Sequence, residues 1–301
     1  MSTNQNVKSI LYALVANFAV ACAKLFAAIF TGSGSMMAES IHSFADCSNQ
    51  GLLLLGVKNS KRPPSSDFPL GHGKEIYFWS FIVAIVLFCL GGVFSIYEGI
   101  HKLHATGPLK SPMIAIGILI FSIIVEGMAF RSCLKSIEKV RAGRSYWQWF
   151  KDSRQSELVV VFGEDFAALI GLFVALMAIV LSHVTGNVIY DAIGSIIIGC
   201  LLVVIAVFIG IEVKNLLIGQ GVEKTLKDEF KQFIEADENI EAVLNMVTLQ
   251  MGSDVMVALK AKMVDGQSAK EMIHSINACE QKFKEKFPQV MWLFFEPDIA
   301  D

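Results

Sequence analysis

His42 and Asp46 stand a helical turn apart in sequence, at i and i+4, so on a helix they share one face. Glu39 precedes His42 by three residues and Asn49 follows Asp46 by three. Together they draw a polar stripe along a segment whose other positions, Met36, Met37, Ile41, Phe44, Ala45 and 52–55, are apolar. Imidazole plus carboxylate is a ligand set suited to zinc, iron, manganese or cobalt. The plain alternative is a hydrogen-bonded packing network on a buried helix. A second acidic group, Glu164-Asp165, interrupts the apolar run 158–182. Adjacent carboxylates deep in an apolar segment are unfavourable unless a cation or a proton relieves them. The two segments can together supply three or four oxygen and nitrogen ligands, enough for a tetrahedral site between facing helices.

The elements that carry these residues are expected to be membrane-spanning. Apolar residues make up 54% of the chain and charged residues 18%, below the ~25% usual for soluble chains. The mean hydropathy is +0.55. A spanning helix needs about 20 mostly apolar residues, and segments at roughly 8–30, 36–57, 76–101, 112–134, 158–182 and 189–214 qualify. The second is the weakest, because it holds the polar stripe. Ionisable groups inside such spans are costly and mark function by default. Besides the stripe and Glu164-Asp165, they are Lys24, Glu98, Glu126 and Glu212. Glu98 and Glu212 lie near helix ends, where water is in reach; Lys24 can pair with an acid or snorkel.

Loop charges set the orientation. Lys58, Lys61, Arg62 and Lys74 surround the second loop, and Arg131, Lys135, Lys139, Arg141, Arg144, Lys151 and Arg154 fill the fourth. Loops 31–35 and 182–190 carry no Lys or Arg, and only Lys102 and Lys110 break the pattern. The positive-inside rule therefore predicts a multi-pass protein with both termini in the cytoplasm, in a bacterial inner membrane. The start of the chain reads as a first span rather than a signal peptide.

From about residue 219 the pattern becomes that of a soluble domain. The periodicity predicts a helix over 225–236, strands over 243–251 and 255–264 around the turn Gly252-Ser253-Asp254, a helix over 269–287 and a strand over 290–296. The expected fold is a six-helix, all-α transmembrane bundle over 1–218, followed by a small cytoplasmic α+β domain of ferredoxin-like kind over 219–301. So thin a core invites support from a second copy, which predicts a homodimer. The cysteines Cys22, Cys47, Cys89, Cys133, Cys200 and Cys279 form no CxxC pair and read as buried small hydrophobes. A net charge of −3 without a basic block gives no reason to expect a nucleic-acid partner. No HExxH motif or nucleophile context points to an enzyme.

The stretch Ser33-Gly-Ser-Met-Met-Ala-Glu-Ser-Ile-His42-Ser-Phe-Ala-Asp46 closely resembles the second-helix signature of the cation diffusion facilitators. Asn17, Lys24, Gly71-His72-Gly73-Lys74-Glu75, Asp191-Ala-Ile-Gly-Ser195 and the tail's Phe295-Glu296-Pro297-Asp298 look like that family too, so the resemblance covers the whole chain. It implies a homodimer that exports zinc or a similar divalent ion by alternating access, driven by protons, with no prosthetic group. It also implies a site of two residues on the second helix, the slots of His42 and Asp46, and two on the fifth. The family's usual fifth-helix HxxxD is absent; Glu164-Asp165-Phe-Ala-Ala168 stands there, as in a branch that includes mitochondrial zinc transporters. If Glu164 takes the histidine slot, Ala168 takes the aspartate slot; if Asp165 takes the aspartate slot, Val161 falls on the other. The two acids differ by about 100° around the helix, and Glu164, the longer, is favoured as ligand. His42, Asp46 and Glu164 would then hold the ion, completed by Asn49 or a water, with Asp165 either supporting the metal site from behind its ligands or carrying protons, near Lys24. Zinc is the favoured cargo, with manganese, iron or cobalt as alternatives. A membrane metal sensor or assembly scaffold that binds without transporting is the competing reading.

Overall fold

The computed structural model describes residues 3–103, 109–266 and 268–300, with side chains from residue 17 onward. Six long helical rods precede the tail. They are α1 (Thr3–Thr31), α2 (Gly34–Ser60), α3 (Glu75–Val86) continued by a π-helical turn (Leu87–Val93) and α4 (Phe94–Lys102), α5 (Pro112–Glu138), α7 (Ser156–Thr185) and α8 (Ile189–Ile218). A short helix, α6 (Tyr146–Asp152), lies in the basic loop between α5 and α7. Four rods, Glu75–Lys102, Pro112–Glu138, Ser156–Thr185 and Ile189–Ile218, are long and apolar enough to cross a membrane. The stripe residues keep α2 below that hydropathy, and the apolar stretch described for α1 is Asn17–Thr31.

The rods turn many large apolar residues outward. Phe121, Ile124 and Met128 of α5, Phe173 and Met177 of α7 and Val204 of α8 are exposed. So broad an apolar exterior suits lipid, not water. Inside, glycines let helices approach. A methyl group on Gly199 of α8 would lie 2.7 Å from the Gly92 carbonyl oxygen, and one on Gly99 of α4 would lie 2.8 Å from that of Ala192. Close packing through small residues is the usual way helices associate in lipid.

The tail folds as expected in order, with strand β1 starting earlier. It comprises α9 (Lys224–Glu235), β1 (Ile240–Met251), β2 (Asp254–Met263), α10 (Ala269–Lys286) and β3 (Val290–Pro297). The sheet order is β1-β2-β3; β1 and β2 are antiparallel, and α10 makes the crossover to β3, parallel to β2. Phe230, Phe283 and Phe287 pack edge to face beneath it, Phe230 with ring centroids 5.1 and 4.8 Å from the other two. Such pairs contribute about 0.5–1.5 kcal/mol each beyond area burial. Ser268 and Glu271 form a capping box that starts α10.

The tail docks on the helices through the tip of the β1–β2 hairpin. The Gly252 N–H donates to Tyr77 Oη at 2.8 Å. A methyl group on Gly73 would lie 2.0 Å from the Met251 carbonyl oxygen. The Gly71–Glu75 stretch is thus where the hairpin backbone comes closest to the bundle.

Candidate metal centre

Helix α2 begins at Ser33, whose hydroxyl accepts the Met36 N–H at 3.1 Å. It ends shortly before Pro63-Pro64, which cannot continue a helix. Over its length the stripe faces the bundle: Glu39 and Asn49 are fully buried and His42 is 1% exposed. The side chain of Asp46 is 17% exposed, and its Oδ1 lies 3.5 Å from His42 Nδ1. His42 also lies against the π-helical turn, since a methyl group on Gly91 would be 3.9 Å from its Nδ1. That turn was not foreseen. Gly91-Gly92 was its signal, and π-bulges concentrate at functional sites.

Helix α7 lies against α2. Asn49 Nδ2 donates to Glu164 Oε1 at 2.5 Å. About two turns further along α7, a methyl group on Gly171 would lie 2.4 Å from Glu39 Oε1. These two contacts bracket the stretch of α7 that faces His42 and Asp46, and the buried Ala168 lies between them. Glu164, Ala168 and Gly171 recur at helical spacing, so one face of α7 supplies an acid, a small residue and a gap. Gly163 lets α8 close in from behind: a methyl there would be 2.7 Å from Ile209 Cδ1.

Asp165 sits about 100° further round α7 and is only partly buried. Its carboxyl feels the charge of Glu126 on α5. Asp46 in turn feels Glu164, Glu126 and Asp165. Lys24, fully buried, is committed elsewhere: its Nζ donates to Ser43 Oγ at 2.7 Å and lies 3.5 Å from Glu39 Oε2. The acid that pairs with Lys24 is therefore Glu39, not a residue of α7.

The donor atoms are largely free. Both ring nitrogens of His42, Asp46 Oδ1, Asn49 Oδ1 and Glu39 Oε1 are buried with no hydrogen-bond partner among the described residues. Buried polar atoms are normally satisfied, so five orphaned atoms on four residues of a single stripe call for a ligand or water. Among the described residues, no three His, Cys, Asp or Glu side chains are gathered closely enough to grip a metal. The candidate donors stand as two pairs, His42 with Asp46 on α2 and Asn49 of α2 with Glu164 of α7.

Comparison with known proteins bears on the helical part of the chain. The family described as the cation efflux transmembrane domain matches residues 10–218. The proton-coupled zinc antiporter SLC30A9, mitochondrial, of Xenopus laevis is 35% identical over 231 residues, which is 76% of this chain and 41% of that protein. Metal tolerance protein C4 of Arabidopsis thaliana is 32% identical over 238 residues, 78% of this chain and 52% of that protein. The chain thus matches about half or less of the length of these two relatives. The manganese efflux system protein MneP of Bacillus subtilis is 24% identical over 241 residues, 78% of this chain and 76% of that protein.

Proposed function

The chain belongs to the cation efflux family, the cation diffusion facilitators, and on that premise we propose that it exports divalent metal ions from the cytoplasm in exchange for protons. The observation that carries the proposal is the row of unpartnered donor atoms on His42, Asp46 and Asn49, buried in an apolar bundle beside Glu164. The family is one of transporters rather than enzymes. All six rods span the membrane in this reading, including the polar α2, whose stripe is sheltered by α1, α7 and α8. Both termini then lie on the cytoplasmic side.

His42, Asp46 and Glu164 bind the ion, with Asn49 Oδ1 or a water as the fourth ligand. Metal ligands must be deprotonated to bind, so loading the ion releases protons from the carboxylates or the imidazole. Protons arriving from the far side reverse the exchange and free the metal. Asp165, with Glu126 near it, is the proton-carrying group beside the site. Zinc is the favoured cargo, supported by the Xenopus relative, which is named as a zinc antiporter. The nitrogen and oxygen donors also suit manganese, which the Bacillus relative is named for. The protein acts as a homodimer: Val247 and Phe294 are more than half exposed on the tail's strands, an apolar face that a second copy would cover.

The test is uptake into proteoliposomes that enclose a fluorescent zinc indicator, with an imposed pH gradient. We expect zinc entry that depends on the gradient and is abolished by His42→Ala or Asp46→Ala, with the protein still folded and inserted. No signal with zinc, manganese, iron or cobalt would overturn the transporter reading. Transport at wild-type rates by both variants would make the stripe structural.

A further inference from the structure

Two motifs that the metal centre leaves without a role, Ser33-Gly34-Ser35 and Asp191–Ser195, meet at the end of the bundle away from the tail. Asp191 lies in the first turn of α8 and is 2% exposed. Its Oδ1 accepts the Ser33 hydroxyl at 2.6 Å, the Ser35 N–H at 3.3 Å and, in a very short contact, the Ser35 hydroxyl. Its Oδ2 accepts the Gly34 N–H at 2.5 Å. Four donors from the start of α2 therefore converge on a single carboxylate from α8. Helix N-termini leave N–H groups unsatisfied and favour negative charge, so the contact is a charge-assisted cap supplied by another helix.

The junction is close-fitted. A methyl group on Gly34 would lie 2.9 Å from Ser195 Oγ and 3.3 Å from Lys102 Cγ. Lys102 of α4 donates to the Gly32 carbonyl and lies 3.8 Å from Glu98. The ends of α2, α4 and α8 are thereby drawn together around the turn at Gly32. The opposite end differs: a cavity of about 570 Å³ opens there, between the bundle and the tail, lined by Lys61, Tyr77, Glu157, Glu223 and Gln250 among others.

We infer that Asp191 is the latch of the far gate: it holds that end of the bundle shut by gripping the N-terminus of the helix that carries the metal ligands. His42 is eight residues from Gly34 on the same rod, about 12 Å away at 1.5 Å per residue. An ion released away from the tail has to pass between α2 and its neighbours at this end, so the grip must break in each cycle. Asp191 touches no ion; it is a positioning residue. Its part in transport rests on the transporter reading, but the closure itself does not.

The experiment reads closure without transport. Ser195, buried one turn below Asp191, is replaced by cysteine in the full chain, reconstituted in sealed vesicles. Its modification by an impermeant maleimide is followed by mass spectrometry. With Asp191 intact, labelling should be slow. With Asp191→Asn, which turns a donor toward the Gly34 N–H, labelling from the far side should rise about tenfold or more, as expected for losing a charge-assisted hydrogen bond. Asp191→Glu should fall between. The buried Cys279 in the tail, labelled in parallel after detergent opens the vesicles, reports folding and should stay unlabelled in all three. Unchanged labelling at position 195 in Asp191→Asn and Asp191→Ala would overturn the latch. A rise in labelling at Cys279 together with position 195 would also overturn it, in favour of general destabilisation. Neither outcome depends on whether zinc moves.

Discussion

Asn49 on α2 and Glu164 on α7, 115 residues apart in sequence, are joined by a 2.5 Å hydrogen bond from Nδ2 to Oε1. The bond ties α2 to α7 and leaves Asn49 Oδ1 without a hydrogen-bond partner among the described residues. Among the described residues Asp165 makes no hydrogen bond to α2, and its carboxyl feels Glu126 of α5. If Glu164 is a ligand and Asp165 a proton carrier, the two substitutions separate. Glu164→Gln should weaken zinc binding by more than the ~10–100-fold typical of losing an outer hydrogen-bond partner. Asp165→Asn should keep affinity near wild type and shift the pH dependence of transport. Calorimetric titration at fixed pH, beside transport assays across a pH series, distinguishes them. Affinity lost only in Asp165→Asn would reverse the assignment.

Lys24 and Glu39 form an ion pair with both side chains fully buried, at 3.5 Å. Removing a single partner leaves an uncompensated charge in an apolar bundle, which costs about 3–5 kcal/mol in comparable sites. Lys24→Met should therefore lower the melting temperature in detergent strongly, and Glu39→Gln should do so too. The double variant should melt higher than Lys24→Met alone, because neither charge is then stranded. A double variant that melts below both single ones would show that the two side chains act independently.

Hydropathy was enough to place the four long apolar helices, because apolar runs of this length leave few alternatives, and α1 and α2 are long helices where segments were expected. The order of tail elements was legible for a similar reason: period-2 and helical patterns alternate around Gly252-Ser253 and Pro288. Strand β1 began earlier than its pattern because two register irregularities, between Ile240 and Ala242 and between Val243 and Asn245, break the alternation there. The stripe on α2 was readable from spacing alone. What faces it was not, since Asn49–Glu164, Lys24–Glu39 and Asp191–Ser33 are long-range pairings set by helix register. Helix α6 was missed inside a basic loop, although Ser145, which caps it by accepting the Gln148 N–H, and the aromatic run Tyr146-Trp147-Gln148-Trp149-Phe150 were its signals.

Cys279 lies in the tail core, 3% exposed, and burial pushes its thiol up to about 11. Only the thiolate reacts with alkylating agents. Cys279 should thus resist iodoacetamide at pH 8 in the folded protein and react once denaturant opens the tail. The raised value also has a stability consequence. Below the ordinary thiol value, near 8.5, the group is neutral folded or unfolded and costs nothing. Between there and about 11, unfolding releases a proton, so tail stability is lost as pH rises. Cys279→Ala should flatten that alkaline decline in a urea titration. An unchanged slope would mean that another group causes it.

Gly73 and Gly252 place the tail hairpin against the start of α3, backbone to backbone. A methyl group on Gly73 would lie 2.0 Å from the Met251 carbonyl oxygen and 2.8 Å from its carbon, and one on Gly252 would lie 2.6 Å from the Gly73 carbonyl oxygen. Backbone atoms on both sides cannot swing aside as a flexible side chain can. Gly73→Ala must therefore push the hairpin away and break the bond from the Gly252 N–H to Tyr77 Oη. Overpacking of this kind costs about 1–3 kcal/mol. The cost should appear at the joint rather than in the tail core, because Phe230, Phe283 and Phe287 are untouched. Hydrogen exchange should accelerate at Gly252 and Ser253 while the Val257 and Leu259 amides in β2 keep their protection. Gly117→Ala in α5, where an added methyl meets nothing within 4 Å, is the matched control and should leave exchange at the hairpin unchanged. If Gly73→Ala also leaves it unchanged, the hairpin contact does not hold the tail to the bundle.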